Sequence, residues 1–313
     1  MTGFDTRRAA KLAQQPEERR WLVEDLWSSQ AVGVIGGEPK CCKSFLALDI
    51  AVAVASSTPC LRHFAVCSPG PVLLFAAEDA LHIVRERLEG IAAVAGADFD
   101  HLDVHVITAP TVRLDLDGHR RQLRATVARL RPRLVVLDPF VRLHRCDENA
   151  ASEVAPMLAY LRELQRTFDA GVLLVHHARK AGHARAGQAL RGSSEIHAWG
   201  DSNLYLQRKS DLLRLTVEHR AAAAIQPLSL ELSADDDGAV ALRIIEDQQR
   251  LEAPQPASPL ERVESALAQA SEPLSMRALR VACRMRTATV SDAVSKLKRE
   301  GRVVDHDGGF RLP

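Results

Sequence analysis

The sequence predicts an α/β fold: a mostly parallel sheet flanked by helices, an antiparallel extension of that sheet, and a small C-terminal unit. Three observations predict it. From Ala31 to Val175, short continuous apolar runs alternate with helical patterns, as buried parallel strands in βαβ units require. After Gly192 the runs shorten and tight turns separate them. A polar, proline-bearing stretch at 248–258 then marks a linker before a last unit at 259–313.

Residues 1–30 are polar apart from one amphipathic patch, Trp21 to Trp27, expected to pack beside the first strand. The main domain spans 31–247. Its strands are expected at 32–35, 72–76, 104–107, 134–137 and 172–175, and its helices at 44–55, 80–95, 120–130 and 151–168. Later strands at 203–208, 212–219, 228–232 and 240–244 are read as the antiparallel extension. In the last unit, helices are expected at 260–270, 275–282 and 289–299. Pro259 suits a helix start and Ser275 an N-cap. A hairpin with an Asp-Gly-type turn is expected to close the chain.

Between the first strand and its helix lies Gly36-Gly37-Glu38-Pro39-Lys40-Cys41-Cys42-Lys43-Ser44, followed by Phe45. This nearly meets the phosphate-binding pattern G-x-x-x-x-G-K-[ST], with Cys42 in place of the second glycine. In such a loop, backbone N–H groups and a helix N-terminus point at one anion. Lys43 reaches the β- and γ-phosphates of ATP, and the Ser44 hydroxyl ligates Mg²⁺. Gly37, Glu38, Pro39, Lys40, Cys41, Cys42 and Phe45 complete the candidate nucleotide-binding set. Glycine is favoured where the backbone needs φ > 0; Cys is small enough to be tolerated there.

In an open parallel sheet, ligands bind at the carboxyl ends of the strands. Glu78, just past the second strand, is a candidate general base that orients water; Asp79 fits an N-cap of the following helix. Asp138 ends the run Leu134-Val135-Val136-Leu137 in the manner of a Walker B carboxylate that holds Mg²⁺. His176 and His177 follow the fifth strand. Neighbouring strand residues face opposite ways, so only one faces the site, and His177 is the choice as a γ-phosphate sensor. Arg179, Lys180, Arg185 and Arg191 then form an acid-free, glycine-bearing basic stretch. It suits a nucleic-acid backbone, or it is an ordinary solvated loop.

These motifs together resemble the RecA-like ATPases, and among them the plasmid replicative helicase RepA and related AAA-family ATPases of mobile elements. The likeness runs from Trp21 to about Leu232. It implies a homohexameric ring with ATP between subunits and single-stranded DNA in the pore. It also implies Lys43 and Ser44 at phosphate and Mg²⁺, Glu78 as base, Asp138 at Mg²⁺ and His177 as sensor. Such rings insert a basic finger from the neighbouring subunit. Leu215-Thr216-Val217-Glu218-His219-Arg220 looks similar to its strand, with Arg220 the first candidate and Arg208 the second. Cys42 departs from the pattern.

The C-terminal order, three helices then a hairpin, resembles winged helix-turn-helix domains, whose third helix enters the DNA major groove. From Ser258 onward there are ten Lys/Arg and seven Asp/Glu, a net +3. Lys296, Lys298 and Arg299 are the candidate DNA contacts there. Winged helices also dock proteins.

Composition narrows the classes. The chain has 313 residues, is 46% hydrophobic and has a net charge of +1; any basic surface must therefore be local. No apolar run reaches transmembrane length, and residues 1–20 are polar, unlike a signal peptide. Six scattered cysteines without a C-x-x-C pair indicate neither a zinc site nor a disulfide framework. A cytoplasmic location is the expectation. The leading reading is an oligomeric ATPase of the DNA helicase or translocase type. A DNA-binding regulator or loader switched by ATP, and a recombinase-like filament protein, remain open beside it.

Overall fold

In the computed structural model, described residues are 4–12, 20–177, 194–209, 212–235, 238–245, 259–270, 272–283, 285, 287–306 and 308–313. The chain divides at Ile245 into two compact units.

The first unit begins with a small hairpin, β1 (Trp21–Val23) and β2 (Trp27–Ser28). Its apolar patch is consumed by the core: Leu22, Val23, Leu26 and Trp27 are all buried. Then come β3 (Val32–Gly37), α1 (Lys43–Ser56), β4 (Val72–Ala76), α2 (Leu81–Ala95), β5 (Val104–Val106) and α3 (Asp117–Leu130). They are followed by β6 (Leu134–Asp138), α4 (Ala151–Phe168), β7 (Gly171–His177) and α5 (Ser194–Trp199). Four strands close the unit: β8 (Ser202–Lys209), β9 (Leu212–His219), β10 (Leu228–Ala234) and β11 (Val240–Ile245). All nine strands from β3 on form one sheet, in the order β11-β10-β9-β8-β3-β7-β6-β4-β5.

The continuous apolar runs are explained by a core on each face of the sheet. Along β6, Leu134 and Val136 face the layer of α1 and α2, whereas Val135 and Leu137 face that of α3 and α4. Along β7 the split is the same, with Leu173 and Val175 on the first side and Val172 and Leu174 on the second. A strand buried on both faces has no position left for an alternating polar residue.

One expectation is corrected. Residues 203–208 are expected in the antiparallel extension, but β8 pairs parallel to β3, with Ile35 opposite Leu204. The reason is that the chain has returned to the amino edge before β8 starts: the Asp201 N–H bonds the Val32 carbonyl at 2.7 Å. The antiparallel extension begins one strand later, at β9. β3 and β8 approach so closely that a Cβ on Gly33 would lie 1.7 Å from the Ser202 carbonyl oxygen.

The second unit holds α6 (Pro259–Ala268), α7 (Met276–Cys283), α8 (Thr287–Arg299), β12 (Val304–His306) and β13 (Gly309–Arg311). Ser275 caps α7, its hydroxyl accepting the Ala278 N–H at 3.2 Å. Leu279, Val290, Leu297 and Val263 form a separate small core. The expected linker at 248–258 lies outside the described residues. Among the described residues no helix is long and apolar enough to cross a membrane.

Candidate active site

β3 ends where α1 is about to begin, so the connecting loop sits at the carboxyl edge of the sheet. Gly37 is required there: a Cβ would come 2.3 Å from the Leu206 carbonyl oxygen and 2.7 Å from Cys41 Sγ. Cys42 occupies the N-cap of α1 at φ 61, ψ 27. The backbone thus keeps the left-handed conformation that suits glycine, with a Cβ present.

The Lys43 side chain is folded back into the loop. Its Nζ donates to the Glu38 carbonyl at 2.7 Å and lies 3.8 Å from Cys41 Sγ. Burial lowers its pKa, and the neighbouring Cys41 and Asp138 oppose that shift. The Ser44 side chain lines the same cavity as the Asp138 carboxylate. Asp138 is only 8% exposed. Burial drives its pKa up to about 6; Ser44 opposes this, Asp79 and Glu78 add to it, and Lys43 opposes it.

His177 lies opposite Gly37 in the parallel pairing of β3 and β7. It faces a cavity of about 270 Å³ with the loop from Lys40 to Phe45, Glu78, Arg87 and Asp138. His176 is buried on the other side of the sheet, against Phe140. Sheet pairing therefore gathers Lys43, Ser44, Glu78, Asp138 and His177 around one space. Glu78 accepts a hydrogen bond from Arg142 Nε at 2.9 Å, both side chains being largely exposed. A second groove of about 530 Å³ adjoins this cavity through Phe45 and Arg87, and runs between α2 and the start of β11.

Other expected residues fall elsewhere. Asp79 is not the N-cap of α2; that position is Ala80, which makes no side-chain cap bond. Asp79 pairs instead with Arg87, whose guanidinium is 5.2 Å from the centre of the Phe45 ring. The charged partner, two turns into the helix, outcompetes the neutral backbone N–H. Arg220 follows β9, whose last residue His219 pairs with Ser202 at the amino end of β8. It is thus at the opposite sheet edge from the P-loop of its own chain, bonded to the Ala198 carbonyl and 3.3 Å from Asp201. Arg208 does reach the loop: its Nη2 donates to the Lys40 carbonyl at 3.1 Å and is 3.7 Å from Cys42 Sγ. Arg179, Lys180, Arg185 and Arg191 lie outside the described residues. Lys296, Lys298 and Arg299 occupy the last turn of α8. There Lys298 pairs with Asp305 and lies 5.8 Å from the Phe310 ring centre.

Arg87 and Arg142 escaped the sequence reading. Neither belongs to a motif, and each meets its carboxylate only after folding.

The donor set fits the nucleotide expectation. A hydroxyl and a buried carboxylate on one cavity offer hard oxygen ligands of the kind Mg²⁺ takes. A buried ammonium at a helix N-terminus offers what phosphate takes.

The family model for the AAA domain matches residues 3–183, more than half of this chain. The chain belongs to the AAA domain family. The P-loop, Glu78, Asp138 and His177 all lie inside the matched span. The crystal structure of the RadB recombinase is similar at a TM-score of 0.51 and 16% identity, covering 70% of this chain and 92% of that one. The core is accordingly a RecA-like P-loop ATPase domain.

Proposed function

We propose that this protein is an ATP-dependent DNA translocase or helicase, which works as a homo-oligomeric ring, a hexamer, in replication or maintenance of mobile-element-like DNA. The observation that supports it most is the convergence of Lys43, Ser44, Glu78, Asp138 and His177 on one cavity at the carboxyl edge of the sheet. This is the arrangement that hydrolysis of ATP with Mg²⁺ needs.

Lys43 would exchange the Glu38 carbonyl for phosphate oxygens, and Ser44 and Asp138 would hold the metal. Mg²⁺ supplies charge neutralisation on the phosphates when bound. Glu78 orients water, and His177 reports the state of the terminal phosphate. The apolar wall of the adjoining groove, with Phe45 and Arg87, suits a flat heterocycle such as adenine. The basic residues Arg179, Lys180, Arg185 and Arg191 follow His177 in sequence, which suits a DNA grip that answers to the nucleotide. Arg220, away from its own loop, would supply charge to a neighbouring subunit, whereas Arg208 reaches the loop of its own chain. The C-terminal unit would act as a winged helix, with α8 and its Lys296, Lys298 and Arg299 toward duplex DNA. The cytoplasm is the expected location.

A second reading is an ATP-switched DNA-binding regulator or loader with weak hydrolysis. The strained Cys42 and the Glu78 carboxylate held by Arg142 favour it.

One assay separates them. A translocase hydrolyses ATP, single-stranded DNA stimulates it strongly, and Lys43→Ala abolishes it. Negligible turnover with and without DNA, alongside ATP-driven oligomerisation, would establish the switch instead. Electron micrographs with a non-hydrolysable nucleotide distinguish closed rings from open filaments.

A further inference from the structure

Directly behind the phosphate cavity lies a buried trio that the mechanism above leaves unused. Glu148, in the segment between β6 and α4, places Oε1 3.5 Å from His144 Nε2 and 3.9 Å from His176 Nδ1. The two imidazoles are each 1% exposed and the carboxylate 15%. The Phe140 ring packs against both, with centroids 4.6 Å from His144 and 6.0 Å from His176. Among the described residues, no group of three His, Cys, Asp or Glu side chains is placed to hold a metal ion.

Its position in the chain gives it a task. His144 follows the short 3-10 turn, Phe140–Leu143, that leaves the Asp138 strand. His176 precedes His177 on β7. One carboxylate thus bridges the two segments that carry the metal-side carboxylate and the phosphate-side histidine. Burial pushes the Glu148 carboxyl up, but His144, His176 and His177 outweigh it and hold the group below its ordinary value. Glu148 Oε1 is not in hydrogen-bond geometry with either imidazole, so it acts on them through its charge, in a site nearly closed to water where such contacts count for more than at the surface.

We propose that Glu148 is a positioning residue: its buried charge, placed between His176 and His144, fixes where His177 meets the phosphate cavity. It touches neither nucleotide nor metal. This rests on His177 being the phosphate-facing residue of an ATPase.

The test uses the full chain with Glu148→Ala and the near-isosteric Glu148→Gln. Glu148→Ala is expected to lower kcat between about tenfold and a hundredfold, the range that a small misplacement costs, with KM for ATP nearly unchanged. Glu148→Gln keeps the shape and loses the charge, so it recovers little of the loss; full recovery would overturn the role of the charge. Hydrogen exchange with a non-hydrolysable ATP analogue supplies a readout that needs no turnover. In the wild type, segments 140–150 and 171–177 slow together on binding; in Glu148→Ala only 171–177 responds. Wild-type kcat and a wild-type exchange pattern in Glu148→Ala would overturn the inference, while an inactive Lys43→Ala would leave the ATPase reading standing. A wild type without turnover would defeat that reading, and the exchange pattern would still decide the role of Glu148.

Discussion

Cys42 holds φ 61, a region that costs a non-glycine residue roughly 1–2 kcal/mol. Glycine would remove that cost and lose part of the gain to its freer unfolded chain. Cys42→Gly is therefore expected to raise the urea midpoint slightly and leave turnover of the same order. A many-fold rise from near-zero turnover would show that the cysteine disables the loop. Asp138 gives a pH prediction. Its folded pKa, about 6, lies above the ordinary 3.8. The folded state binds that proton more tightly, so its contribution to stability is full below pH 4 and lost as pH rises through 6. Without metal or nucleotide, Asp138→Asn should gain in Tm over the wild type as pH goes from 4 to 7; a constant difference would count against the burial argument. Arg142 tests Glu78. An exposed ion pair contributes about 0–1 kcal/mol, so Arg142→Ala should barely change stability. On the ATPase reading it frees the carboxylate and raises basal turnover, and a fall in turnover would mean that Arg142 supports Glu78.

At the scale of elements, the two-sided burial of the central strands makes their spacing unforgiving. β3 touches β8 at Gly33, where an added methyl group would meet the Ser202 carbonyl. Gly33→Ala must push the strands apart, and overpacking of this kind costs about 1–3 kcal/mol. Urea denaturation should show that loss; an unchanged midpoint would mean that the strands separate freely. The alternation along β7 accounts for the histidine pair. Apolar neighbours bury on both faces, so the period of two can be carried forward to His176 and His177 from sequence. Which face holds the P-loop follows only from the strand order. The direction of β8 was illegible for a related reason. Its residues suit either direction, and what fixes it is the return of the chain to the amino edge at Asp201.

At the scale of the molecule, the two units have separate hydrophobic cores, and every described residue lining the cavity at the Lys43 loop lies before Ile245. A fragment ending at Ile245 is expected to bind a fluorescent ATP analogue as tightly as the full chain. A large loss of affinity would show that the C-terminal unit takes part in nucleotide binding.

The strand–loop–helix phosphate motif, the acids and histidines at the strand ends, and the α/β class are all legible in the sequence. These are local signals, readable because each depends on spacing within one segment. The tertiary structure alone decided that Arg87 claims Asp79 and Arg142 claims Glu78. It also decided that Arg208 reaches the P-loop while Arg220 does not, and that Glu148 sits between two buried histidines. Each of these pairs joins residues from different segments, and side-chain charges find such partners only once the sheet order has set which segments are neighbours. Cys42 belongs to both: the sequence marks the missing glycine, and the fold shows that the backbone kept the glycine conformation.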